Sequence, residues 1–469
     1  MSAPEQTGRK GTAKLEKRKR DSSPEARPVL EEEATRFMQM EREVDEEFRV
    51  PMREALQSKV DQASEILSGE VPICSECKNP MSYHDSRPVS WLSRLGRLHA
   101  RPKRYRCRPC SQECRPLVDY LGVEPGRITG SLARLLALLG VVVPYELASR
   151  LAFLMFGIKV SPMGVRRVVQ RLGEAAERYS HAMSCYHAGG NSNAAPIARA
   201  PDAVVLGMDG SMLGMQVRLT RRHRKSRDEP LPALPKIEEG GFREVKTGVL
   251  LLPSERVETS PGRRSVVRRF LVTCLGDADM IFDRVWAQLQ ELGWLGPQTV
   301  VVIVGDGAEW IWNRATMFLR RCEILDFWHA LEHAWEFARL HYGDGSTQAV
   351  QWIHRIAQDL RAGKVELVIT RLQRLRPKTP ESQKKLKELI RYYTNNMSRL
   401  RYDEYLCLGY GIGSGAVESA HKQVVHARMR QAGMRWSEPG ARRLLALRLL
   451  LLNNNWTQVD RLRMVSLAQ

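Results

Sequence analysis

Two apolar runs, AVVLGM at residues 203–208 and TVVVIV at residues 299–304, each lead into an aspartate beside glycine: Asp209-Gly210 and Gly305-Asp306-Gly307. Continuous rather than alternating hydrophobicity marks a strand covered on both faces, which restricts this part of the chain to a layered α/β arrangement. In open sheets of that kind ligands bind beyond the carboxyl ends of the strands. Each aspartate is therefore expected at a strand end, with backbone room beside it. Two more candidate strands, 246–252 and 270–274, fall between the runs, and a helical stretch follows at 279–292.

Three strands in near succession, a helix and a further strand give the order of an RNase H-like mixed sheet. A third acid is expected from later in the chain. GIGSGAVESAHK (411–422) reads as a glycine loop, Ser414 as helix N-cap, and a helix with Glu418 on its second turn and His421 and Lys422 just beyond. Two Mg²⁺ or Mn²⁺ ions that clamp the attacking and leaving oxygens need clustered hard oxygen ligands, and three carboxylates supply them. Taken singly, Asp209 and Asp306 are explained as turn residues and Glu418 as a solvated helix acid. The set, with two strand ends matched, points to catalysis.

Upstream, Cys74-Ser-Glu-Cys77 and Cys107-Arg-Pro-Cys110 are two C-x-x-C pairs separated by residues 78–106. Four thiolates at this spacing suit a closed structural Zn²⁺ site, with 89–98 and 104–107 as the hairpin of a zinc-ribbon-like module; His84 and Cys114 are possible substitute ligands. An odd total of nine cysteines also favours a reducing compartment over disulfides. Residues 144–156, a turn at 157–160 and a second helix opened by Ser161-Pro162 make a helix-turn-helix candidate. Val165, Val168, Val169 and Leu172 form its inner face, leaving Arg166, Arg167 and Arg171 outward. The formal charge of +20 calls for a polyanionic partner, and nucleic acid is the first candidate. Arg104 and Arg106 in the cysteine module, and Arg222, Arg224 and Lys225 in a cationic run after the first strand, are candidate phosphate contacts, as are Arg263, Arg264, Arg268 and Arg269; a solvated basic face explains them equally.

GMDGS, VGDGAEWIW, LDFWHALEHAWEFA, IGSGAVESAHK and MRWSEPGARRLLALR together resemble the DDE transposases of bacterial insertion sequences, in particular the Kra-type group related to the Mutator-like superfamily. The resemblance covers roughly residues 70–460. It implies that Asp209, Asp306 and Glu418 take the metal-binding D, D, E positions and that the long stretch before Glu418 carries a helical insertion. It also implies double-stranded DNA partners (the element's terminal inverted repeats and target DNA) and a homodimer or higher oligomer that pairs two ends. The acidic stretch at 31–47 has no place in that pattern.

The expected fold is α/β: an RNase H-like mixed sheet with a helical insertion, preceded by a zinc-ribbon-like module and a helix-turn-helix. Its parts are a disordered basic arm (1–28), a helical segment (29–69), the cysteine module (70–120), the helix-turn-helix (130–185), a linker (186–202), the first part of the core (203–342), the insertion (343–410) and C-terminal core helices (411–469). No secretory signal or membrane span is expected, which fits a cytoplasmic, nucleoid-associated protein. Two rival readings stay open. One is a catalytically inactive, domesticated DNA-binding protein. The other is a zinc peptidase, because His329-Ala-Leu-Glu332-His333 matches H-x-x-E-H. In the transposase reading His329 borders the acids.

Overall fold

The computed structural model describes residues 36–122, 128–188, 200–216, 241–260, 263–266 and 268–467. The chain divides into two compact units, Met1–Ala63 and Ser64–Gln469. The described part of the first is residues 36–63 of helix α1 (Arg36–Ser68), which carries Pro51 within it and leaves Phe37, Val44 and Phe48 more than half exposed. The arm expected at 1–28 lies outside the described residues.

The cysteine module contains β1 (Ser82–Ser86), β2 (Val89–Ser93), β3 (Gly96–Ala100), β4 (Lys103–Arg106), β5 (Glu113–Cys114) and a short helix α2 (Pro116–Leu121). Its hairpin is β2–β3, while β4 pairs antiparallel with β1 and with β5. The expected partnership of 89–98 with 104–107 is corrected accordingly. Gly96, at φ +124°, lets the chain reverse within two residues, so β3 takes the place expected of 104–107.

Helices α3 (Gly130–Val142), α4 (Tyr145–Phe156) and α5 (Pro162–Ala188) follow. Gly157 stops α4 in the left-handed conformation at φ 65°, and the Ser161 hydroxyl accepts the Gly164 amide as α5 begins. The apolar stripe of α5 is buried as its period requires, through Val165, Val168, Val169 and Leu172. It continues to Ala188, so helix replaces the first residues of the expected linker. Residues 189–199 of that linker lie outside the described residues.

The central sheet is built from β6 (Ala203–Gly214), β7 (Phe242–Leu251), β10 (Arg269–Cys274), β11 (Val300–Gly305) and β12 (Arg321–Leu325), in the order β10-β7-β6-β11-β12; β8 (Arg256–Ser260) and β9 (Arg263–Val266) form a separate hairpin. β10, β7 and β6 are antiparallel neighbours, and β6, β11 and β12 are parallel. Residues 204–208 and 301–305 are buried throughout, as their unbroken hydrophobicity predicts. Between strands run α6 (Ala278–Glu291), capped by Asp277, and α7 (Glu309–Ala315).

After β12 come α8 (Phe327–Tyr342), then α9 (Thr347–Arg361), α10 (Val365–Arg374), α11 (Pro380–Asn395) and α12 (Tyr402–Cys407) of the insertion. The 3.6-residue apolar period of 347–360 puts Ala349, Trp352, Ile353, Ile356 and Leu360 on one face, and α9 buries all of it but half-buried Trp352. Tyrosine hydroxyls pin the insertion to the sheet layer: Tyr393 to the Ala330 carbonyl (2.8 Å), Tyr402 to Leu325 (2.9 Å) and Tyr405 to Glu323 (3.1 Å). The chain closes with α13 (Gly415–His421), a π turn (Lys422–His426), α14 (Ala427–Met429), α15 (Glu438–Leu452) and α16 (Gln458–Leu467).

Helices α5 and α15 pack at Gly173, where an added Cβ would stand 2.5 Å from the Arg443 carbonyl oxygen. Backbone cannot yield there as a flexible side chain can. Gly173→Ala is expected to cost about 1–3 kcal/mol of stability, read as a lower urea midpoint with unchanged slope.

Candidate active site

Asp209 does not end its strand, as the sequence suggested; β6 runs five residues further. The extension exists because 209–214 keep pairing with β7, whereas pairing with β11 stops at Gly207. Asp209 thus stands where the central strand loses its parallel neighbour, and Asp306 follows the last residue of that neighbour. Gly307, at φ +99° with the Tyr392 hydroxyl 3.0 Å from where a Cβ would sit, turns the chain sharply after Asp306.

Asp209 Oδ1 accepts its neighbour Gly210 N–H (2.6 Å), and Oδ2 lies 3.2 Å from Nδ1 of buried His421. Asp306 Oδ1 accepts the Ala308 amide (3.0 Å), while its carbonyl accepts the Tyr392 hydroxyl (2.9 Å). Burial raises the Asp306 carboxyl above the usual range against the pull of the Ala308 amide; the nearby Asp209 charge adds to the rise and His329 opposes it.

Glu418 lies in the first turn of α13 rather than the expected second, exposed, with Lys422 Nζ 2.7 Å away. Two ties hold the start of this helix against the sheet. The Phe327 amide donates to the Ile412 carbonyl (2.9 Å). Asp326, wholly buried, accepts the Trp328 (2.6 Å) and His329 (3.0 Å) amides on Oδ1 and the Ser414 amide on Oδ2. One carboxylate therefore caps α8 and anchors the glycine loop that delivers Glu418.

These elements enclose a cleft of about 710 Å³ lined by Asp209, Glu418, His329, Glu332, Trp328 and Trp335. The structure brings Asp209 and Glu418 to one cleft and Asp306 into electrostatic reach of Asp209 and His329. It does not close the three acids around a single point: among the described residues, the four cysteines are the one group of metal-type ligand atoms all within 4.8 Å of one another. Asp209, Asp306 and Glu418 are the hard-oxygen side chains that would hold a divalent ion there. Hard oxygen donors and a buried carboxyl beside a second acid fit that use, since a divalent cation would relieve the cost of ionising both.

Among the described residues, His329 and His333 belong to no group of three or more metal-type ligand atoms within 4.8 Å of one another. His329 Nδ1 lies 3.3 Å from Glu332 at the cleft, whereas the His333 ring packs on Tyr392 with centroids 4.1 Å apart and is lowered in pKa by burial.

Sequence reasoning missed a second row. Ser211, two residues beyond Asp209 on β6, bonds His426 Nε2 (3.1 Å), which also receives Arg430 (2.9 Å). His421 and His426 are five apart, a spacing that an α-helix splays and the π turn aligns beneath Asp209 and Ser211. Strand period two would have flagged Ser211; nothing in the sequence flags the π turn.

In the cysteine module, Sγ···Sγ separations are 3.4 Å for Cys74–Cys110 and 3.3 Å for Cys77–Cys107. Two matching turns present them: the Lys78 amide returns to Cys74 and the Ser111 amide to Cys107, with Lys78 and Ser111 at φ 59° and 60°. These four sulfurs could hold a metal ion and are compatible with structural zinc. The Asn79 backbone N–H, then Cys107, pull the Cys77 thiol down to about 6. His84 is exposed, and Cys114 turns its thiol to Met81, so neither substitutes.

Of the basic candidates, Arg104 is engaged elsewhere: it binds Asp85 through two nitrogens (2.9 and 2.7 Å) and Glu113 (3.1 Å). Arg106, Arg166 and Arg167 are exposed and Arg171 is half-buried. Arg268 pairs with Glu255, and Arg269 with Gln423. Arg222, Arg224 and Lys225 lie outside the described residues, as do the side chains of Arg263 and Arg264.

The family model of the uncharacterised protein family UPF0236 matches residues 263–466. The matched span holds Asp306, His329, Glu418 and His421 and begins after Asp209. No curated protein matches the chain. Among the described residues no helix is long and apolar enough to cross a membrane.

Proposed function

We propose that this chain is a DDE-type DNA transposase that cuts at the ends of an insertion sequence and joins the freed 3′-OH to target DNA. The observation that carries the reading is the convergence of Asp209 and Glu418 in one cleft, with Asp306 coupled to Asp209, although the three come from distant parts of the chain. A sheet with three antiparallel strands followed by two parallel ones supports an RNase H-like core. The paired cysteine turns support a zinc ribbon, and α4–turn–α5 a helix-turn-helix.

Asp209, Asp306 and Glu418 would hold Mg²⁺ or Mn²⁺; when bound, the metal supplies Lewis-acid polarisation of the phosphate and a water of lowered pKa. The chain's own residues do the positioning. His421 fixes the Asp209 carboxylate, Asp326 fixes the loop before Glu418, and Lys422 exchanges its contact with Glu418 for solvent or phosphate. In the first step water oxygen bonds to phosphorus, the P–O3′ bond breaks, and the 3′ oxygen leaves as a hydroxyl. In the second the 3′-OH attacks a target phosphodiester, a P–O3′ bond there breaks, and the proton passes to the departing oxygen. Holding both partners in line accounts for most of the acceleration. Such chemistry at two element ends calls for at least a dimer and a nucleoid-associated cytoplasmic setting.

The test uses labelled duplexes carrying the repeats that flank the gene. Nicking is expected with Mg²⁺ and absent with EDTA. No nicking of the element's own ends under any divalent ion would reject the enzyme and leave the DNA-binding reading.

A further inference from the structure

Arg428 is 1% exposed, and among the described residues no acid balances it. Its Nε donates to the Gly140 carbonyl (3.0 Å), and its guanidinium lies over the rings of Tyr145 (4.8 Å) and Trp436 (5.4 Å). Nη1 meets the Met434 sulfur at 3.9 Å, and Nη2 is buried without an acceptor in full hydrogen-bond geometry, the Tyr145 hydroxyl being the guanidinium's polar neighbour. Burial opposes this charge, and neutral Tyr145 is the one group that favours it among the described residues. A second buried guanidinium lies close by: Arg448 donates to the Val424 (2.7 Å), Val141 and Gln423 carbonyls, and burial with the Arg428 charge pulls it down to about 10. A buried charge without a partner opposes folding, and an anion that reaches it removes that cost.

An opening for such an anion is present. Arg428 lines a cleft of about 410 Å³ between α4–α5 and the 433–440 segment. Exposed Arg166 and Arg435 stand on its walls with Gln170 and Gln216, and Ser437 and Gly440 of the first turn of α15 border it. The only acid among its lining residues is exposed Glu146. A tetrahedral phosphate accepts donors from several directions at once, which suits one guanidinium below and two at the rim.

We propose that this cleft is a phosphate site, occupied by a phosphodiester of a polynucleotide backbone, with Arg428 Nη2 as the buried donor and Arg166 and Arg435 as the outer clamp. A backbone phosphate is favoured over a free anion because the rim arginines are exposed and the cleft opens beside α5. The site lies apart from the carboxylate cleft and stands or falls independently of the strand-cutting chemistry.

The experiment measures thermal unfolding of the full chain in sodium phosphate against sodium chloride at equal ionic strength, and duplex binding by fluorescence anisotropy. Arg428→Met, Arg428→Lys and the double variant Arg166→Gln/Arg435→Gln are compared with the natural sequence. Phosphate is expected to raise the melting temperature of the natural chain and of Arg428→Lys, but not of Arg428→Met. Without phosphate, Arg428→Met should melt no lower than the natural chain, because an uncompensated charge has gone. Duplex affinity should fall ~10-fold or more in Arg428→Met and in the double variant. Should Arg428→Met not fold, the exposed double variant decides alone. Loss of phosphate stabilisation with unchanged duplex affinity would overturn the polynucleotide assignment and leave a free-phosphate site. No phosphate or DNA effect in the natural chain, or one that persists in both variants, would overturn the site itself.

Discussion

Replacing Cys107 by serine, or stripping the protein with a strong chelator, is expected to unfold the cysteine module while the central sheet stays intact. The reason is the size of its core. Around the sulfurs only Met81 and Tyr105 are buried with Cys74 and Cys107, too little apolar surface to hold the β1-β4-β5 sheet against chain entropy. A closed four-thiolate site contributes roughly 10–16 kcal/mol of apparent binding energy at neutral pH, which then serves as folding energy. Elemental analysis should return one zinc per chain, falling by ~10-fold or more in Cys107→Ser. Proteolysis should then cut within residues 71–121 and spare the rest. A zinc-free chain that resists proteolysis there would show that the four sulfurs are an ordinary packed cluster.

The second large effect concerns the acids. Asp209→Asn, Asp306→Asn and Glu418→Gln are each expected to lower Mg²⁺-dependent strand cleavage by about 10³-fold or more, because in the proposed reading each would remove a ligand of the metal that stabilises charge developing in the transition state. DNA binding should survive, since the basic surfaces are elsewhere. Stability gives an independent sign. Burial holds the folded pKa of Asp306 above its unfolded value, so the ionised carboxylate opposes folding at neutral pH, and that penalty fades as pH falls through the folded pKa. Asp306→Asn should therefore be as stable as the natural chain or more so at pH 7 without metal, and the difference should shrink in acid. Glu418 is exposed, so Glu418→Gln should leave the unfolding midpoint unchanged. Cleavage that persists in Asp209→Asn would remove the carboxylates from the mechanism.

Much of this arrangement is written in local pattern. Unbroken apolar runs located β6 and β11 because burial on both faces leaves no polar positions. The 3.6-residue period located α5 and α9, and C-x-x-C spacing located the sulfurs. What escaped depends on pairing between distant segments. The extension of β6 past Asp209 needs β7 as its partner, and the tight β2–β3 hairpin competes with a pairing that looked equally good in sequence. Arg104 read as a free cation until β1 placed Asp85 opposite it. Asp326 carries no mark of its own in the sequence; its three amide bonds join two segments that only the folded sheet brings together. The π turn leaves no local mark, because the bonds that stabilise it include those from Arg448, in α15, to the Gln423 and Val424 carbonyls.

The most direct measurement is anomalous diffraction from crystals of the full chain soaked in Mn²⁺. Two peaks about 4 Å apart among Asp209, Asp306 and Glu418, absent from Asp209→Asn crystals, are the predicted result. A cleft without manganese at saturating concentration, or a single ion held by His329 and His333, would contradict it.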